Sequence, residues 1–152
     1  MKLAEALILR ADLQTRYSQI QQRLIQNAKV QDGEKPAEEP EKLLKEVEAI
    51  SAELQGLIQH INATNSQTKL DGDISISDAI AVRDILRMNH SLYRQLAGAA
   101  VVTQDRYTKS EVKFRSTVNI ATLQKQADDL ARKHRELDTK IQEANWRTEL
   151  KA

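Results

Sequence analysis

Residues 40–63 read PEKLLKEVEAISAELQGLIQHINA. Within them Leu43, Val47, Ile50, Leu54, Leu57 and Ile61 recur at alternating steps of four and three, with Leu44 and Ile58 beside them. That spacing lays one apolar face along the whole length of a helix. The remaining positions are mostly Glu, Lys and Gln, as a solvent-facing side requires. Pro40 stands where a helix tolerates proline best, in the first turn, whose N–H groups have no partner inside the helix.

The same rhythm extends outward from this segment. Upstream, Leu3, Ala6, Arg10, Leu13, Tyr17, Ile20 and Leu24 share a face, which predicts a helix over 2–29, and a polar stretch with Asp32-Gly33 and Pro36 follows. Downstream, Asp71-Gly72 sits inside the connection 62–76 and predicts a small β-hairpin at about 68–75, because both residues tolerate positive φ. Ser77 is placed to cap a third helix, with Ala79, Val82, Leu86, Leu92, Tyr93, Leu96 and Ala100 as its inner face. Periodicity then fades from 103 to 118, where Val112 and Phe114 alternate with Lys113 and Arg115 and predict a short strand at about 110–115. Asn119 caps a last helix carrying Ile120, Leu123, Ala127, Leu130, His134, Leu137, Ile141 and Ala144 on one face.

Four glycines and two prolines among 152 residues leave too few turn formers for a sandwich, a barrel or a loop-rich enzyme. The expected fold class is all-α: one helical domain over 1–152, with long antiparallel helices in a four-helix bundle or coiled-coil arrangement. Stripes this long tend to outrun what one chain covers, so a homo-oligomer, a dimer or higher, is the expected state.

Charge and composition narrow the function classes. Twenty-three basic against twenty-two acidic residues give no overall field for nucleic acid or an anionic membrane. With no cysteine there is neither a disulfide framework nor a thiolate metal site. Glu5, Arg10 and Asp12 interrupt the start before a signal-peptide core forms, and the longest apolar run, Leu96 to Val102, is far short of the roughly 18 residues of a span. The expected location is cytoplasmic, with no integral membrane segment.

Few residues suggest chemistry. The segment Arg106, Tyr107, Lys109, Lys113 and Arg115, with Phe114 among them, is the one local basic cluster with interleaved aromatics, a candidate anion or nucleic-acid contact. Arg10, Arg83, Asp84, His90 and His134 fall on or near the inner stripes and are expected to form an interhelical polar network, since buried charge is expensive without a partner. His134 and Asp138 stand one turn apart, but two ligands make no metal site, and no Glu precedes a histidine by three as a di-iron bundle requires. Asp71, Asp73, Ser75 and Asp78 fail the calcium-loop pattern at Ile76 and Val82. No glycine-rich phosphate loop, nucleophile elbow or zinc-protease motif is present, and no cofactor or catalytic residue is implied.

Stretches at 1–14, 27–38, 81–90, 106–114 and 136–146 resemble a bacterial family of small helical proteins labelled septicolysin-like. That resemblance implies a helical fold and a tendency to assemble, and its label suggests membrane activity. The reading from the residues is a non-enzymatic, self-associating helical scaffold or interaction protein. A phosphate or nucleic-acid binder and a membrane-active protein are its alternatives.

Overall fold

The structure, a computed structural model, describes residues 1–103 and 112–152. Among these residues the regular structure is helical apart from one small ribbon: α1 (Leu3–Gln26), α2 (Pro40–Gln67), β1 (Lys69–Asp71), β2 (Ile74–Ser75), α3 (Ile76–Ala99) and α4 (Ile120–Arg147). By contact the chain divides into two compact units, Met1–Ser75 with Gln142–Ala152, and Ile76–Ile141.

In the first unit α1 and α2 form an antiparallel hairpin. Leu3, Ala6, Leu13 and Ile20 are buried on α1, and Leu43, Ile50, Leu57 and Ile61 on α2, so the expected three-four stripes are the seam. Tyr17, expected on that stripe, is instead exposed. Between the helices the chain is pinned rather than loose. Arg23 donates to the Glu38 carboxylate, Asn27 Nδ2 donates to the Arg23 carbonyl at 2.9 Å, and the Glu38 N–H donates to Asn27 Oδ1 at 3.1 Å. The Arg23 guanidinium holds the Glu38 carboxyl below its ordinary value.

Helix α2 runs four residues further than its apolar pattern suggests, which shortens the expected connection to the ribbon alone. Lys69 pairs with Ser75 and Asp71 with Ile74, antiparallel, and the turn falls on Gly72-Asp73, one residue later than Asp71-Gly72. Gly72 has φ +58°, a conformation that costs a residue with a Cβ roughly 1–2 kcal/mol. Ser77 is the second residue of α3 rather than its cap, because the helix starts directly out of β2.

A clasp that the sequence did not announce joins the two ends of the first unit. Residues after α4 run beside the chain start: the Leu3 N–H donates to the Thr148 carbonyl at 2.9 Å, and the Leu150 N–H to the Met1 carbonyl at 2.9 Å. Lys2 Nζ lies 2.5 Å from the Glu149 carboxylate. The Lys151 N–H then donates to the buried Thr64 hydroxyl at 2.9 Å, which itself donates to the His60 carbonyl at 2.7 Å. Thr64→Val keeps the shape and removes both bonds. We expect it to destabilise by about 1 kcal/mol and to speed hydrogen exchange at the Lys151 amide, whereas Thr64→Ser leaves that amide protected.

Lys2, foremost, lowers the Glu149 pKa from its ordinary 4.5. A carboxyl with a depressed folded-state pKa adds stability that is present above its unfolded pKa and lost as pH falls through the folded one. The clasp is therefore expected to persist on acidification to pH 4.5 and to loosen only below it. NMR titration of the Glu149 carboxyl checks this, and a midpoint at or above 4.5 would contradict it.

In the second unit α3 and α4 are antiparallel: Arg83 meets Asp138 near one end, and Ala97 and Gly98 border a small cavity with Gln124 and Ala127 near the other. Asn119 caps α4, its Oδ1 accepting from the Thr122 N–H at 3.0 Å. Every member of the expected α4 stripe, from Ile120 to Ala144, is buried or half-buried. On α3 the expected inner face is corrected. Val82, Leu92 and Leu96 are exposed, and the sheltered line is Ala79, Arg83, Leu86, His90, Tyr93 and Ala97. The helix carries apolar residues on two sides, and α4 lies on the side where Arg83 finds a carboxylate and Ala97 is buried. Val112 to Arg115 form no strand, and the rest of the expected 110–115 strand lies outside the described residues.

Candidate functional site

The most polar meeting of helices is built on Arg83. Its guanidinium donates across to Asp138 Oδ1 on α4 at 3.0 Å and to Asp84 Oδ1 on its own helix at 3.1 Å, while Arg87 also donates to Asp84 at 3.2 Å. Arg83 is the most sheltered of the four. Of the other residues expected in this network, His90 lies two turns further along α3 and His134 one turn before Asp138 on α4, both half-buried; Arg10 is half-buried on α1, in the other unit. The arrangement is a register pin between α3 and α4. Asp138 is engaged by Arg83, and no group of three or more His, Asp or Glu side chains able to hold a metal occurs among the described residues.

Of the basic segment, Arg106, Tyr107 and Lys109 lie outside the described residues. Lys113 and Arg115 are exposed on either side of Phe114, which is 79% exposed. Phe114 and Val118 border an open cavity of about 480 Å³ together with Leu96, Ala99, Val101 and Val102. A second open groove, of about 550 Å³, runs between α1 and α2 over Tyr17, Leu54 and Ile58, rimmed by Gln14, Gln55 and Gln59.

The feature that sequence reasoning missed is the outer face of α3. Val82 (46% exposed), Ile85 (53%), Met88 (65%), Leu92 (57%) and Leu96 (41%) form a line of large apolar side chains turned away from the sheltered one. Positions 82, 85, 89, 92, 96 and 99 keep an unbroken three-four spacing, with Asn89 as the single polar member. The signal was available: two heptad-spaced lines about a quarter turn apart on one helix mean that one neighbour covers only one of them.

Fold and surface together define a class: a long-helix protein with a clasped hairpin in one unit and an uncovered apolar helix face in the other. Residues 10–150 match the family described as "Family of unknown function (DUF6847)", and the chain belongs to that family. A solved structure, titled as a functionally unknown conserved protein from Corynebacterium diphtheriae, is 42% identical, with 99% of each chain covered and a TM-score of 0.93. No curated protein matches the chain. These findings correct the likeness to the septicolysin-labelled family, since both descriptions are of unknown function and neither points to septicolysin. The stretches behind that likeness are mostly amphipathic helix, whose Leu, Ala, Glu and Lys patterns recur in unrelated helical chains. The membrane-active reading loses the resemblance it rested on. No helix among the described residues is long and apolar enough to cross a membrane.

Proposed function

We propose that this chain is a non-enzymatic helical protein that acts by self-association, with a dimer as its smallest working form. The observation that carries this reading is the outer line of α3, where five large apolar side chains between 82 and 96 stand in water. Their fractional exposures correspond to on the order of 450–500 Å² of apolar surface, the size of the largest patch a monomer ordinarily shows and often a functional one. Further support comes from the polar contacts, which tie parts of the chain to one another: Arg83 with Asp138 between helices, Arg23 with Glu38 in the α1–α2 connection, Lys2 with Glu149 in the clasp. Light scattering on the eluting peak tests the reading. The expected mass is at least twice the 17.2 kDa of one chain, and a single-chain mass at every concentration would overturn it.

A second reading rests on Phe114, exposed between Lys113 and Arg115, where two cations flank a ring in the manner of a single-strand contact. Titration with an oligonucleotide at low salt tests it. Binding that weakens steeply as salt is added would support this reading, and a flat titration would remove it.

A further inference from the structure

The outer face of α3 also carries information about what covers it. In heptad terms Val82, Asn89 and Leu96 are a positions and Ile85, Leu92 and Ala99 are d positions. The positions beside this seam are Ala81, Met88 and Gln95 on one side and Leu86, Tyr93 and Ala100 on the other, all uncharged. Two identical faces can therefore meet with no like charges opposed, and nothing along the seam selects a partner of opposite charge.

Asn89 decides the geometry. When like helices pair in parallel and in register, each a residue meets its own copy, so Asn89 meets an asparagine and the two amides bond one another. In an antiparallel coiled coil a faces d, which sets Asn89 against leucine and strands a buried amide without a partner, at a cost of about 1–3 kcal/mol. The size is that of a small interface: the five exposed side chains of two copies together amount to on the order of 900–1,000 Å², at the threshold of a specific contact.

We infer that α3 pairs with α3 of a second copy, parallel and in register, with Asn89 of one chain bonded to the partner's Asn89. This rests on the self-association proposed above and adds the surface, the orientation and the residue that sets the register.

The chain has no cysteine, so single-cysteine variants report neighbours without interference. Val82→Cys and Leu96→Cys, each made alone and oxidised with copper phenanthroline, are expected to double in mass from 17.2 kDa on a non-reducing gel. Facing a positions sit within disulfide reach. Thr139→Cys, exposed on α4, is the control expected to stay single. In an antiparallel pair that sets Asn89 against Leu92, residue 82 lies about 25 Å and residue 96 about 16 Å from its own copy, so neither variant links to itself. Circular dichroism of each reduced variant establishes that the helices are retained. A chain that sediments as a dimer but fails to link at 82 and 96 would overturn the inference and leave self-association standing. A chain that sediments as a monomer would overturn both.

Discussion

Replacing Ile85 and Leu92 together by aspartate is expected to abolish the proposed α3 pairing while leaving the chain folded. Both side chains are more than half exposed in the single chain, so little of its own packing is lost. The intramolecular cost is expected to be about 1 kcal/mol for each substitution, from helix propensity and the covered part of each side chain. In the pair, four apolar side chains leave the seam, and each contributes on the order of 1 kcal/mol from the surface it covers. The dissociation constant is therefore expected to rise by roughly a thousandfold or more, with four new carboxylates adding to the loss. Sedimentation of the variant beside the parent chain measures this, and the helical signal in circular dichroism should be unchanged. An unaltered dissociation constant would remove α3 as the contact.

The opposite pattern is expected in the first unit. Leu13 has no exposed surface and sits in the α1–α2 seam, so Leu13→Ala is expected to destabilise by about 2–5 kcal/mol, the range for a buried leucine that leaves a cavity. For a chain this size that lowers the melting temperature by on the order of 10 °C. Ile8, on the same helix and 61% exposed, provides the contrast: Ile8→Ala should change stability by less than about 1 kcal/mol. Thermal unfolding of the two variants side by side checks the assignment of the buried face, and equal losses would contradict it.

That contrast shows which parts of the fold could be read in advance. On α2 and α4 one apolar line stands against a polar remainder, so periodicity identifies both the helix and the side that packs. On α3 two lines compete, and periodicity identifies the helix but not the side. What decides is the partner: Arg83 meets Asp138, 55 residues away in sequence, a pairing with no local mark. The hairpin is legible because Asp71, Gly72 and Asp73 are turn residues between short strands, yet the turn settles one residue late, with positive φ confined to Gly72. The clasp of Lys2, Glu149 and Lys151 was not legible, since ordinary polar residues nearly 150 positions apart leave no periodic trace.

The candidate surface follows the same logic. Of the residues chosen for charge, Arg83 is tied to Asp138 on α4, and Asp84 to Arg83 and Arg87 on its own helix. Residues assigned to the core by pattern, Val82, Leu92 and Leu96, are the ones left facing water. A buried-looking pattern at an exposed position is what motivates the proposed contact surface.

Sedimentation equilibrium of the chain at about 1 to 100 μM, the upper range of dissociation constants for interfaces of ordinary size, decides whether two copies pair. A dimer or larger species is expected, persisting when salt is raised to about 1 M, because apolar contacts, unlike surface ion pairs, are not screened. A single species of 17.2 kDa throughout would contradict it.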